Sequence, residues 1–166
     1  MSNQTLSKKI LKKTVQYQLR QFHHDNRYYV DVVALSIPNR MKHITLHLAK
    51  YSYDISKFHQ DRQISKSFVD AFIIIVSAAN LLKIELANLE ITKEVNANIL
   101  NEYLKNLSIL SKACEAYDHF ENHPYHSKWI DAIQNLYLAF IKESLDLDED
   151  IFDKANLRLD EIEAKA

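Results

Sequence analysis

Two histidines, His43 and His47, lie four residues apart in the segment RMKHITLHLAKYSYD at 40–54, whose apolar residues recur with helical spacing. Side chains four residues apart share one face of a helix, which is the geometry of paired metal ligands. The glutamate of an HExxH zinc motif is absent from this segment. The spacing therefore predicts either a metal-binding edge or two histidines that are hydrogen-bonded to neighbouring carboxylates.

A second group of histidines surrounds Pro124 in HFENHPYH at 119–126: His119, His123 and His126. These residues are predicted to lie in a loop, where no helical spacing fixes their relative positions. Histidines of this kind are more often solvent-facing or hydrogen-bonded than metal-bound. We therefore expect no dedicated site in this loop.

Cysteine and glycine usage excludes several classes of site. Cys114 is the only cysteine, and glycine is absent. A single cysteine forms neither an intrachain disulfide nor a cysteine-based zinc cluster, and it fits a reducing compartment. Phosphate-binding loops and dinucleotide fingerprints require glycine, so the sequence excludes both. Cys114 is predicted to be a small core residue.

The same composition predicts helices, because glycine is missing and proline occurs only twice. Apolar spacing places these helices near 3–23, 39–58, 65–83, 94–121, 126–144 and 149–164. The patch YYVDVVALSIP at 28–38 is predicted to be an ordered connection. Long helices with short connections indicate one all-α helical bundle that spans residues 1–166.

The first helix carries two apolar lines and a basic surface. Leu11, Val15, Leu19 and Phe22 form the longer line; Leu6, Ile10 and Tyr17 form the shorter one. We expect an amphipathic helix that packs on the bundle. The alternative is a docking arm for nucleic acid, an anionic surface or an acidic partner.

Charge is uneven along the chain although the totals nearly balance, at 21 Lys plus Arg against 22 Asp plus Glu. Residues 1–50 hold nine basic and two acidic side chains, a net charge of +7, whereas residues 141–166 hold four basic and nine acidic, a net charge of −5. The two ends are expected to attract each other, and the overall charge argues against nucleic-acid binding.

No membrane segment is expected. The N-terminus MSNQTLSKKILKK lacks the apolar core of a signal peptide, and the longest apolar run, AFIIIVSAANLL at 71–82, is too short to span a bilayer. That run predicts a buried helix, and the chain is predicted to be cytoplasmic.

Segments from the first and second halves of the chain resemble each other in sequence. A shift of 61 residues places 67–93 over 128–154 and pairs Asp70 with Asp131, and a shift of 64 places LHLAKYSYD at 46–54 over LSKACEAYD at 110–118. These matches predict a duplication, with the first repeat at 39–106 and the second at 107–166, after a basic helix and connection at 1–38. The alternative is two amphipathic hairpins that share a pattern.

This arrangement resembles the all-α nucleotide pyrophosphohydrolases of the MazG and dimeric dUTPase type, which carry an E-E-x-x-E motif on one helix and E-x-x-D on the next. The resemblance covers 40–165, and its closest stretches are ESLDLDEDIFDKANLRLDEIEAK at 143–165 and FVDAFIIIVSAANLLKIEL at 68–86. It implies a bundle of two repeated MazG-like helical hairpins.

The resemblance also implies a Mg²⁺ site, because the family holds a hard cation with carboxylates that bridge it to the substrate's phosphates. Its motif positions fall on Glu115 and Asp131 in the second repeat and on Asp70 in the first, with His47 at the position of a glutamate. The remaining motif positions carry other residue types. Asp70 also fits a helix start, three residues after Ser67.

Two functions follow as expectations. The first is a MazG-like nucleotide-binding protein that, with Mg²⁺, cleaves a nucleoside triphosphate to monophosphate and pyrophosphate. The second is a non-catalytic helical scaffold for protein binding or homo-oligomerisation.

Overall fold

The computed structural model describes residues 3–61, 63–91 and 98–166, with side chains described for 8–57, 63–91 and 98–166. The helices in these ranges are α1 (Asn3–Tyr28), α2 (Val30–Val33), α3 (Ile37–Asp61), α4 (Lys66–Leu81), α5 (Ile99–Asp118), α6 (Tyr125–Asp146) and α7 (Ile151–Glu163), with a 3₁₀ turn at Leu86–Asn88. The described ranges contain no β-strand. The all-α prediction is confirmed.

Helix ends differ from the sequence-based prediction in two places. α1 continues to Tyr28, and the predicted connection at 28–38 contains the short helix α2. α5 begins at Ile99 instead of 94, because the Asn98 side chain caps it by accepting a hydrogen bond from the Leu100 N–H. Residues 92–97 lie outside the described ranges.

Helices α3 to α6 form a ring in which neighbours are antiparallel. α3 contacts α4 and α5, and α6 contacts the same two helices. The start of α3 meets the end of α5, where Lys42 pairs with Asp118. The start of α4 meets the later half of α6, where the Phe68 and Phe140 rings stack. α4 and α5 therefore run in the same direction.

α4 lies at the centre of the molecule because α1 and α7 also pack against it. Phe68, Phe72 and Ile75 are fully buried, and most other residues of this helix are buried too. A helix that is apolar on all sides requires neighbours on all sides. The prediction of a buried helix in this run is confirmed.

α1 packs on the bundle through its shorter apolar line, and its longer line stays exposed. Ile10 and Tyr17 are buried, whereas the four residues of the longer line, Leu11, Val15, Leu19 and Phe22, are each about half exposed. The Leu6 side chain lies outside the described residues. Polar partners decide this orientation: the buried Thr14 hydroxyl is hydrogen-bonded to that of Tyr137 at 2.7 Å. A count of apolar residues does not detect such a partner.

The basic start and the acidic end of the chain do attract each other. Lys13 pairs with Asp150 at 2.5 Å and with Asp153 at 2.8 Å, and Arg20 pairs with Asp160 at 2.5 Å. These contacts hold α7 against α1.

Two helical hairpins are present, α3 with α4 and α5 with α6, but their repetition stays a prediction. α3 and α4 have 25 and 16 residues, whereas α5 and α6 have 20 and 22. Among the described residues, no helix has both the length and the apolar character needed to cross a membrane.

Candidate functional site

A cavity of about 240 Å³ lies where α1, α3, α4 and α7 meet, with α2 at its edge. Its walls are mostly apolar, with Ile44, Ile73 and Ile74 among them. Seven acidic, arginine or histidine side chains also line it: His24, Asp25, Arg40, His43, His47, Asp70 and Arg158. An apolar cavity with a few converging polar groups is the usual form of a small-molecule site.

Asp25, from α1, is a buried acid with two hydrogen-bond donors. Gln21 Nε2 donates to its Oδ1 at 2.7 Å, and Ser77 Oγ donates to its Oδ2 at 2.6 Å. Burial raises the pKa of the Asp25 carboxyl above its usual value, and the two hydrogen bonds offset part of that rise. The carboxyl is therefore easier to protonate than an exposed aspartate.

Arg40, from the first turn of α3, has an unsatisfied donor. Its Nε atom is buried and has no hydrogen-bond partner, and its guanidinium forms no ion pair with any described residue. Burial lowers the pKa of Arg40, and the nearby Asp25 carboxylate opposes that change. A buried donor without an acceptor costs about 1–3 kcal/mol. The cavity therefore contains a cationic side chain whose buried Nε–H has no acceptor among the described residues.

The two histidines that share a helix face are also without carboxylate partners. The rings of His43 and His47 lie 4.5 Å apart between centroids, and the buried Nδ1 of His47 has no hydrogen-bond partner. Burial lowers the pKa of His47, with Lys50 and His43 adding to the shift. The alternative that carboxylates bind these histidines is wrong for the part of the chain that the structure describes.

Asp70 lines the cavity but does not cap its helix. The N-cap of α4 is Ser65, whose side chain accepts a hydrogen bond from the Phe68 N–H. Arg158 of α7 donates from Nε to Asp70 Oδ1 at 2.7 Å and from Nη2 to Oδ2 at 3.4 Å. Less than a fifth of either side chain is exposed, and the hydrogen bond to Asp70 raises the pKa of Arg158. This ion pair joins α7 to α4 beside the cavity.

Glu115 and Asp131, the other two residues expected to bind Mg²⁺, do not line the cavity. Lys112 pairs with Glu115 at 3.0 Å, and Lys128 lies 3.9 Å from Asp131. The structure thus brings together His47 and Asp70 but not the other two. A search of the described residues finds no group of three or more His, Cys, Asp or Glu side chains that could hold a metal ion.

The remaining candidates from the sequence lie outside this cavity. Cys114 is a buried free cysteine, as predicted, and its Sγ lies 3.6 Å from Thr45 Oγ1. His119 is exposed at the end of α5, and His123 is half-buried in the loop of the second hairpin. His126, predicted in the loop, is exposed in the first turn of α6. His119 Nδ1 lies 3.8 Å from Glu121.

Sequence reasoning missed Asp25, Arg40 and Arg158 as members of one site. They come from three helices that are distant in sequence, and none of them lies at a proposed motif position. One signal was present: Asp25 is the only acidic residue of α1 and lies four residues after Gln21, in line with the buried face. An isolated acid on a packing face is either paired or functional.

We compared the chain with protein-family models, with curated proteins and with solved structures, and none of these comparisons found a match. The resemblance to MazG-type pyrophosphohydrolases therefore rests on the sequence pattern alone, and the cavity provides the structural basis for a functional proposal.

Proposed function

We propose that this protein binds a small organic anion in the cavity between α1, α3, α4 and α7, and that Arg40 receives the anionic group. The observation that carries the proposal is the buried, unpaired Nε of Arg40. A carboxylate or phosphate oxygen would satisfy that donor, and a hydrogen bond to a charged group contributes about 1.5–3 kcal/mol.

The charges around the cavity support an anion. Asp70 and Arg158 neutralise each other in an ion pair. Burial raises the pKa of Asp25 and lowers that of His47, so it favours the uncharged form of both groups. Arg40 stays protonated, as guanidinium groups do in proteins, and the Asp25 carboxyl, whose charged form burial disfavours, is the counter-charge that acts on it.

The volume and walls of the cavity restrict the ligand. At about 240 Å³, the cavity lies just below the range of roughly 300–1,000 Å³ that is typical of ligand pockets. Its isoleucine walls suit a short apolar body that carries one carboxylate or phosphate. A nucleotide would fit only in part, with its phosphate end beside Arg40.

A nucleotide is the ligand that the MazG resemblance implies, and its Mg²⁺-dependent hydrolysis is a further proposal. Asp70 and His47 would stand near the bound phosphate, because both line the cavity. Glu115 and Asp131 are the other proposed Mg²⁺ ligands and lie elsewhere on the bundle. We also propose a cytoplasmic location, which the single free cysteine supports.

A thermal-shift panel tests the binding proposal. The probes are inorganic phosphate, pyrophosphate, ATP, butyrate and hexanoate, each with and without Mg²⁺. A ligand present at a hundred times its Kd stabilises the folded state by about 2.7 kcal/mol, which corresponds to roughly 5–10 °C for a chain of this size. Arg40→Gln should abolish the shift, and Arg27→Gln, a change of an exposed arginine outside the cavity, should retain it. A shift that Arg40→Gln leaves unchanged would contradict the proposal.

Hydrolysis requires a separate assay. Pyrophosphate release from nucleoside and deoxynucleoside triphosphates should be measured with Mg²⁺ and with Mn²⁺, on wild type, Asp70→Asn, Glu115→Ala and Asp131→Ala. Turnover that depends on these carboxylates is the expected result for a pyrophosphohydrolase. The absence of turnover with every nucleotide would reject that activity without affecting simple anion binding.

A second candidate function is a scaffold for protein binding or homo-oligomerisation. The observation that favours it is the line of exposed apolar side chains on α1. Large apolar side chains in a contiguous exposed line mark interaction surfaces more often than single ones do.

A further inference from the structure

The exposed apolar line on α1 consists of Leu11, Val15, Leu19 and Phe22, and we refer to it as the α1 stripe. Their exposed fractions are 49%, 51%, 57% and 49%. A spacing of four, four and three residues places them on one helix face, along about 17 Å of the axis. Scattered exposed leucines are ordinary, but an uninterrupted line of this length is not.

One flank of the α1 stripe is basic. Lys12 and His23 are exposed there, and Lys8 is exposed on the line of the stripe, two turns before Val15. Lys8 and Lys12 form no ion pair with any described residue. By contrast, Lys13 and Arg20 lie on the side of the helix that faces α7 and pair with its acids.

The opposite flank comes from another part of the chain, the segment 83–91, which carries two exposed acids, Glu85 and Glu90, and one exposed base, Lys83. Gln18 Nε2 donates to the Ile84 carbonyl at 2.6 Å, and the Leu86 N–H donates back to Gln18 Oε1 at 3.3 Å. From there the segment continues to a cleft that Leu11 and Glu90 both line. Glu90 is exposed, so it presents a negative charge across the α1 stripe from Lys12.

We propose that the α1 stripe is the interface of a homodimer in which the two α1 helices run parallel about a two-fold axis. In this arrangement each flank meets the opposite flank of the second copy at the same level, as flanking charges do in parallel coiled coils. Lys12 would then face Glu90 of the second copy. An antiparallel pair would bring equal flanks together, so that Lys12 would not face Glu90 of the second copy.

This inference rests on the second of the two functions proposed above, the scaffold. It adds the partner, a second copy of the chain, and the orientation of the two α1 helices. The stripe alone is smaller than the roughly 800 Å² per partner of a standard interface. We therefore expect a reversible dimer that forms at micromolar concentrations.

Sedimentation velocity over a concentration series tests the interface. Leu19→Glu should give a monomer, whereas Leu46→Glu, which changes a more exposed leucine on α3, should leave the dimer intact. Lys12→Glu and Glu90→Lys should each weaken the dimer by about tenfold or more. The double variant Lys12→Glu/Glu90→Lys should restore it. Circular dichroism of each variant checks that the fold is retained.

Disulfide trapping tests the orientation. In the parallel dimer each residue of the stripe faces the same residue of the second copy. Leu11→Cys should therefore form a disulfide-linked dimer under mild oxidation, and Leu46→Cys should not. An antiparallel pair would place the two introduced thiols of Leu11→Cys too far apart, since a disulfide requires Cα atoms within about 7 Å.

The alternatives have different outcomes. A dimer that persists in Leu19→Glu overturns this interface but leaves the scaffold function standing. A protein that stays monomeric at all concentrations overturns the inference and the homo-oligomer. A dimer that Leu19→Glu abolishes but the double charge variant does not restore overturns the parallel pairing.

Discussion

At the residue scale, the absence of glycine has a cost at the helix ends. Lys83, Phe120 and Asp148 each have φ between 53° and 57°, directly after the C-caps of α4, α5 and α6. At each site the next N–H bonds back to a helical carbonyl, as from Glu121 to Ala116 at 2.9 Å. These are Schellman motifs, whose left-handed residue is usually glycine. Residues with a Cβ atom are held there at a cost of about 1–2 kcal/mol.

Phe120→Gly should therefore stabilise the protein. The ring is 95% exposed, so its removal loses little packing, and glycine adopts the left-handed conformation without strain. We expect the free energy of unfolding to rise by about 1 kcal/mol, measured by urea denaturation. Phe120→Ala keeps the Cβ atom and should give no such gain. An equal gain in both variants would indicate that the ring, and not the backbone, is unfavourable.

Asp25 makes stability depend on pH. An acid whose pKa is higher in the folded state than in the unfolded state binds its proton more readily when folded. The stability it contributes is thus full below about pH 4 and declines as the pH rises through the raised folded-state pKa. Asparagine does not titrate, so the stability of Asp25→Asn relative to wild type should increase between about pH 4 and pH 7.

Urea denaturation at several pH values measures this difference, and Asp31→Asn controls for the loss of an exposed charge. A difference that is constant with pH, or that decreases as the pH rises, would show that the Asp25 pKa is not raised.

At the element scale, the position of α7 depends on two kinds of ion pair. Arg158 and Asp70 form a pair in which each side chain is less than a fifth exposed, whereas Arg20 pairs with an Asp160 that is 63% exposed. Removal of one member leaves the other charge without a partner, and the loss is larger in the less exposed pair. The two pairs therefore contribute unequally to the docking of one helix.

Asp70→Asn should lower the free energy of unfolding by about 2 kcal/mol, whereas Asp160→Asn should lower it by less than about 1 kcal/mol. The measurement is urea denaturation in the absence of divalent metal. Equal effects would show that the Arg158 ion pair is no stronger than a surface pair and would leave Asp70 available for another partner.

The helices themselves could be predicted from the sequence, because composition and apolar spacing report on local structure. The orientation of α1 could not. Its longer apolar line is exposed, and the buried side carries Thr14 and Gln21, whose partners Tyr137 and Asp25 are identified only by the folded chain. Tertiary hydrogen bonds decided between two apolar lines of similar strength.

At the scale of the whole molecule, the cavity exists only when α1, α3, α4 and α7 have assembled. The sequence identified His47 and Asp70 as candidates, and both line the cavity. The sequence could not show that Asp25, Arg40 and Arg158 lie beside His47 and Asp70. The three residues are separated by up to 133 positions (158 − 25) and share no spacing rule. Proximity of that kind is a property of the fold and not of any local pattern.

The most direct test of anion binding is the NMR signal of the Arg40 Nε–H group during titration with phosphate, pyrophosphate, ATP, butyrate and hexanoate. A saturable shift of the Arg40 signal, with the Arg27 signal unchanged, is the result that the cavity predicts, since only Arg40 has a buried Nε without a partner in the described chain. No saturable change with any of the five anions, or equal changes at Arg40 and Arg27, would contradict it.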